Sequence, residues 1–351
     1  MPWIAEARNI FDEMVIFVDA KRATSGTVAR ASKVATRVVS HNADTWFGAN
    51  GVSLVAQCES DWVFILDYDE QLGPEWQQQD RWRPIVETSS FTHFWLPRRW
   101  IVESGTYIAV DPWWPDYQLR FFRNNVKGTT FPSRLHDTIY VPGRGAYLQH
   151  LAIHHHVLWL LPRAVREKKT RLYEQLRPGG GLAHLYLHED YRPSKTRLPK
   201  HVKISPKQQI RWMDKLPPEA VARVSCRITG VPPVVRANQL FWIDADVANE
   251  TSQNLYPYPP FPVRLAYHWF TKATRRVVVF EGHRSGLFPC VLAGETRRSR
   301  MAVVAPPRPG EYILQTSIVQ DNICWFDELK PDIRREFIIS VTPERPKSRL
   351  K

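Results

Sequence analysis

Apolar residues along this chain gather in short runs separated by polar, proline- and glycine-marked segments, and the rhythm of those runs changes about two thirds of the way along. Met14–Val18 is a β-branched and apolar run that stops at Asp19, followed by a polar stretch, 21–27, with Gly26 as a turn residue. This predicts a buried strand feeding a loop. Residues 27–35 suit a helix, 37–40 a second strand and 51–58 a second helix. Strand then helix, repeated, predicts a parallel α/β sheet. Trp62–Leu66 is an apolar run too short for a helix, and it ends at Asp67-Tyr68-Asp69-Glu70. Beyond it, 75–87 reads as a helix, 91–100 and 118–123 as extended, and 163–176 as a charged helix closed by Pro178-Gly179-Gly180-Gly181. From about residue 219, short runs such as 240–244, 263–270, 276–280, 301–304, 312–319 and 335–341 recur between Pro and Gly turns, as in an antiparallel sandwich.

The expected organisation is an α/β domain over 1–191, a basic linker with one helix near 207–215 over 192–218, an antiparallel β-sandwich over 219–342 and a basic tail over 343–351. A length of 351 residues with 43% hydrophobic and 24% charged composition suits two globular domains. No apolar stretch reaches about 18 residues and no secretory leader is evident, so the expected location is cytoplasmic. Cys58, Cys226, Cys290 and Cys324 stand singly, which predicts reduced thiols and neither a zinc site nor a disulfide framework. The net charge of +13 favours anionic partners without choosing among them. Between Arg192 and Lys215 eight Lys or Arg face one acid, Asp214. Such a cluster is either a solvated face or a peripheral contact with an anionic membrane or lipid-linked substrate.

The acidic group at 67–70 carries the chemistry. In an extended segment residues i and i+2 face the same way, so Asp67 and Asp69 could present two carboxylates to one point. A divalent cation held there, beyond the carboxyl end of a strand, could grip a diphosphate and neutralise the charge it develops on leaving. The plain alternative is an acidic turn capping a strand.

The succession FDEMVIFVDA, TSGT, FGANG and DWVFILDYDEQL resembles the N-terminal half of family 2 glycosyltransferases, inverting enzymes of the GT-A fold, a Rossmann-like mixed sheet with flanking helices. Trp114–Arg123 looks like that family's acceptor-side segment, Arg134-Leu135-His136-Asp137 like its His-acidic element, and Ile153-His154 with Arg166, Lys169 and Tyr173 like its His-then-basic-helix ending. Together these cover roughly residues 4–191. The resemblance implies that Asp19 contacts the nucleoside base, that Asp67 and Asp69 bind metal and diphosphate, and that Asp137 is the general base, with Asp116 as its rival. Arg120 is a further nucleotide-binding candidate, and His154 a late metal or phosphate ligand. The implied cofactor is manganese or magnesium, and the implied partners are a nucleotide-sugar donor and a glycan or lipid-linked acceptor, not nucleic acid.

Two positions depart from the family pattern. Ser25 stands where a second acid is usual in the loop after Asp19, and the first strand of the GT-A sheet is expected to be missing ahead of Met1-Pro2-Trp3-Ile4. The second half resembles an accessory β-sandwich found with some bacterial surface-glycan transferases, with Trp269, Trp325 and Phe326 either core or carbohydrate-stacking residues. A catalytically inactive relative remains the main competing reading. A glycoside hydrolase would need carboxylates farther apart than Asp67 and Asp69, and a nucleic-acid reader would carry signatures absent here.

Overall fold

The computed structural model describes residues 2–41, 47–110, 113–131, 139–176, 183–204, 213–258, 261–288 and 290–343. They form a mixed α/β protein whose sheets are largely antiparallel. Contacts divide it into two compact units: Met1–Ala109, Trp113–Pro162 and Lys195–Ile210 form the first, and Val110–Pro112, Arg163–Ser194 and Arg211–Lys351 the second.

In the first unit, helix α1 (Pro2–Arg8) precedes strand β1 (Val15–Asp19), helix α2 (Ser25–Ser32), strand β2 (Arg37–His41) and helix α3 (Phe47–Val55). Thr24 caps α2, its Oγ1 accepting a hydrogen bond from the Thr27 backbone N–H at 3.2 Å. β1 and β2 are parallel, as the strand-helix alternation predicts, but they form a two-stranded sheet of their own. The next sheet has eight strands: β3 (Trp62–Phe64), β4 (Glu70–Leu72), β5 (His93–Glu103), β6 (Thr106–Ile108), β7 (Asp116–Arg123), β8 (Gly145–Tyr147), β9 (Ile153–His155) and β10 (Lys195–Arg197). Here the parallel pairing expected from strand-helix alternation gives way to a mixed, largely antiparallel sheet. β3 pairs antiparallel with β7, and only β5 with β8 and β5 with β9 run parallel. Part of the reason lies in the connections: helix α4 (Gln79–Glu87) links β4 to β5, but the link 104–105 between β5 and β6 leaves no room for a crossover helix and makes them antiparallel neighbours.

The core of this unit is aromatic. Trp76 is wholly buried, with ring centroids 5.0 Å from Phe64 and 5.3 Å from Trp82 in edge-to-face contact. Such pairs each contribute about 0.5–1.5 kcal/mol beyond area burial. Their indole N–H groups are satisfied, Trp76 donating to the Ala152 carbonyl and Trp82 to that of Trp76. Leu96, Phe121, Leu151 and Ile153 complete the cluster, and Ile153 begins the histidine-bearing strand, anchoring it from below.

The second unit contains the predicted charged helix, α5 (Arg163–Leu176). Its Arg166 is buried and paired with Glu189, and Lys169 Nζ lies 4.9 Å from the Tyr186 ring, so the basic face of this helix is used internally. Then follow β11 (Val224–Thr229), β12 (Val234–Arg236), β13 (Leu240–Asn249), β14 (Val263–Thr271), β15 (Val277–Val279), β16 (Ser285–Gly286), β17 (Thr296–Val304), β18 (Gly310–Gln320), β19 (Cys324–Trp325) and β20 (Arg335–Thr342). β11-β13-β17 make one sheet, and β12-β20-β18-β14-β15, with β16 and β19 attached, the other. Both contribute to one apolar core: Ile243, Val247 and Met301 from the first, Trp269, Leu314 and Ile339 from the second. Strict alternation along β13 sends Trp242, Asp244 and Asp246 to the outer face, as expected of a half-buried strand. Trp269 and Phe326 are fully buried core residues, whereas Trp325 is half-buried. No disulfide joins the four cysteines. The helix predicted near 207–215 falls largely outside the described residues.

Candidate functional site

The order β4-β9-β5-β7-β3 places β3 and β4 at opposite ends of one row of strands. The five residues joining them, 65–69, therefore cross the strands between, and basic side chains from those strands meet the acidic turn. The turn is not the extended segment expected from the sequence: the Glu70 N–H donates to the Asp67 carbonyl at 2.9 Å, closing a four-residue turn. Asp67 and Asp69 consequently face different partners. Asp67 Oδ2 accepts from Arg120 at 2.5 Å, while Asp69 Oδ2 lies 3.5 Å from His155 Nε2.

Glu70, absent from the sequence-derived candidates, is the most buried acid of the group. Its Oε1 accepts from Arg120 at 2.8 Å and from Arg98 at 3.2 Å, and its Oε2 from the Asp67 N–H at 3.1 Å. Arg98 also forks onto Asp116 Oδ2, at 2.8 Å from Nε and 2.7 Å from Nη2. Trp100 Nε1 donates to the same oxygen at 2.8 Å, and Gln118 donates to Oδ1 at 2.7 Å. Burial opposes ionisation of Asp116, but the Arg98 charge and these hydrogen bonds outweigh it, holding its carboxyl below the usual range. A carboxylate so saturated with donors is a weak proton acceptor and a strong anchor for Arg98. Burial likewise opposes the charge on Arg120, and Asp67 and Glu70 more than restore it, raising its pKa.

Strand alternation explains the histidines. Glu70 pairs in register with His155, and His155 with Trp100, whose ring it meets edge-on at 4.5 Å. His154 points to the other face, where its Nε2 lies 3.2 Å from Arg99 Nη1. Arg99 also donates to Glu75 Oε1 at 3.1 Å and lies over the Trp114 ring at 5.1 Å. The histidine beside the acidic turn is thus His155, not the expected His154; only the register with β4 could have revealed this. Burial first, then Arg98, holds His155 neutral by lowering its pKa, and its buried Nδ1 has no hydrogen-bond partner among the described residues.

His154 is pushed down to about 3, by burial first and then by Arg99 and His156. The unfolded chain, with an ordinary histidine value, takes up a proton that the folded protein refuses. Stability from this residue is therefore complete above about pH 6.5 and lost as the pH falls toward 3, costing about 2 kcal/mol by pH 5. Urea unfolding at pH 7.5 and pH 5.0 should show that loss, and His154→Gln should shrink it. An equal loss in the variant would refute the assignment.

Asp19 ends β1, its Oδ1 accepting from the Lys21 N–H at 3.0 Å and its Oδ2 facing Arg22 Nε at 3.4 Å. It stands at the carboxyl end of a parallel strand, where α/β sheets bind ligands. Asp137 lies outside the described residues.

Four carboxylates, Asp67, Asp69, Glu70 and Asp116, face two guanidiniums, Arg98 and Arg120. The excess negative charge favours a cation. No group of three or more His, Cys, Asp or Glu side chains converges to hold one among the described residues. The donor set does not fit a closed, resident metal site. It fits the other regime of hard cations, in which one or two carboxylates share the ion with substrate phosphates and water.

No protein-family model matches the sequence, and no curated protein matches it. Among solved structures, a β-glucosidase from Listeria innocua in complex with glucose is 9% identical with a TM-score of 0.23, over 34% of this chain and 16% of that one. The Pseudomonas fluorescens alkylpurine DNA glycosylase AlkC, bound to DNA containing an abasic site analog, is 12% identical with a TM-score of 0.23, over 34% and 31%. The C-terminal domain of wzt is 18% identical with a TM-score of 0.22, over 34% and 71%. The chain thus matches a small part of the glucosidase's length, and at these scores the likenesses establish neither a shared fold nor a shared activity. No helix among the described residues is long and apolar enough to cross a membrane.

Proposed function

We propose that the protein is a metal-dependent inverting glycosyltransferase, moving a sugar from a nucleotide diphosphate donor to a glycan or lipid-linked acceptor in the assembly of a bacterial surface polysaccharide. The observation that carries this reading is the acidic turn 67–70, built across the strand row and backed by Arg98, Arg120 and His155. A site with excess negative charge repels a diphosphate unless a cation accompanies it. Manganese or magnesium, held by Asp69 and Asp67 together with the diphosphate, would supply that charge and stabilise the leaving group. Arg120, which bonds Asp67 in the structure, would be free to turn toward phosphate oxygens once Asp67 engages the ion.

In this reading Asp19 contacts the nucleoside. Asp116 orients Arg98 and Trp100, which leaves proton abstraction from the acceptor hydroxyl to Asp137. The GT-A arrangement belongs to the same proposal, with β1 and β2 as its nucleotide-side layer. So do a cytoplasmic location and a peripheral contact of the basic 192–215 segment with anionic membrane.

Calorimetric titration of UDP, GDP and dTDP into the full chain, with and without manganese, tests the site. The expected result is one nucleotide bound at least tenfold more tightly with the ion present. Binding of none of the three would overturn the proposal in favour of an inactive relative.

A further inference from the structure

We propose that the outward face of α5 docks on an anionic phospholipid surface. The helix turns its polarity inside out. Arg166 and Thr170 are 4% and 7% exposed, Arg166 donating to the Tyr186 carbonyl and held by Glu189, and Lys169 and Tyr173 are half-buried. Val165 and Leu172 are instead 45% and 51% exposed. A surface helix of a globular protein ordinarily buries its aliphatic side chains and leaves its cations to water. Here a guanidinium is desolvated and kept by dedicated partners while two aliphatic side chains stay in solvent, an arrangement that folding alone does not favour.

The exposed positions form one face. Ala164, Val165, Lys168, Arg171, Leu172 and Gln175 are all exposed, and the helical repeat gathers them within about a third of the circumference. Val165 and Leu172 stand about 10 Å apart along the axis at one edge of that face, with Lys168 between them. Lys168 and Arg171 make no ion pair among the described residues. No acid shares their face among the described side chains: Glu167 is half-buried and accepts from Arg163 Nε at 2.9 Å.

This mixture of side chains selects the partner. A helix seated in a protein groove uses apolar anchors at i, i+3 or i+4, and i+7. After Val165 both middle positions, Lys168 and Lys169, are cationic, and only Leu172 follows. A polyanion such as nucleic acid would engage the cations and leave both aliphatic side chains in water. At the headgroup boundary of a bilayer the two demands meet: Val165 and Leu172 enter the apolar edge, while the stems of Lys168 and Arg171 lie along it and their charges reach lipid phosphates. The net charge of +13 draws the chain to the same kind of surface. This face belongs to a different stretch of chain from the basic 192–215 segment, and it needs no assumption about the reaction catalysed.

Flotation of the full chain with vesicles tests this, comparing phosphatidylcholine alone with its equimolar mixture with phosphatidylglycerol. The protein should float with the anionic vesicles only. The double variant Lys168→Gln, Arg171→Gln should weaken the apparent affinity about thirtyfold, as expected for two cations withdrawn from an anionic surface. Val165→Ser, Leu172→Ser should weaken it about tenfold at unchanged charge. Both variants alter exposed positions only, so circular dichroism and the urea midpoint should match the parent. The readout needs no nucleotide, so failure of the transferase reading and failure of this one are separately visible. Absence of binding to anionic vesicles, equal binding to neutral ones, or binding undiminished in either double variant would each overturn the proposal. Retention on heparin without vesicle binding would overturn it in favour of a polyanion.

Discussion

Replacing Asp69 by asparagine is expected to lower kcat for nucleotide-sugar turnover by about a hundredfold to a thousandfold, the cost typical of removing one group that stabilises charge in a transition state. The change keeps the shape of the side chain and removes one negative charge from a position that is 6% exposed. Its neighbours can tolerate this: the backbone carbonyl of residue 69 still accepts from the His156 N–H at 2.8 Å, so the turn keeps its link to β9. The loss should therefore fall on kcat with the far-ultraviolet circular dichroism unchanged. Addition of manganese to saturation should not restore the rate. A variant retaining half the activity of the parent would place the diphosphate elsewhere.

The second large effect concerns stability. Arg98 holds Glu70, which is wholly buried, and Asp116 at the same time. Arg98→Met fits the space but leaves Glu70 with Arg120 and the Asp67 N–H, and Asp116 with only neutral donors. Breaking a buried ion pair from one side costs about 3–5 kcal/mol, because the remaining charge is left uncompensated. Arg98→Lys should recover little, since a point charge cannot reproduce the fork onto Asp116. The check is the urea midpoint of each variant, with the double variant Arg98→Met, Asp116→Leu expected to regain part of the loss. A cost below 1 kcal/mol for Arg98→Met would show that water, not protein, satisfies these carboxylates.

Much of the architecture was legible because it depends on local pattern. The run Val15–Asp19 and its partner Arg37–His41 follow from β-branched composition, and the alternation in β13 follows from burial on one face only. The helix Arg163–Leu176 was visible from its composition and its glycine-rich stop. What could not be read was which strand lies beside which. The apolar run at Trp62–Phe64 looks equally like a parallel central strand and like the antiparallel partner of β7 that it is. The same ignorance of register hid Glu70, Arg98 and His155. Acids at 67 and 69 stand out by spacing, but a buried Arg98 gives no signal in the string FWLPRRW. One histidine of three is chosen by the pleat of β9 against β4. In the second unit, composition alone could not separate the half-buried Trp325 from Trp269 and Phe326 in the core.

The most direct test of the account is release of nucleoside diphosphate by the full chain, with manganese, from UDP-, GDP- and dTDP-sugars in the presence of a glycan acceptor, followed chromatographically. The account predicts release from one nucleotide class, matched mole for mole by sugar added to the acceptor, dependent on the ion and lost in Asp69→Asn. Ion-independent release, or no release from any of the three by a protein that is folded, would contradict it.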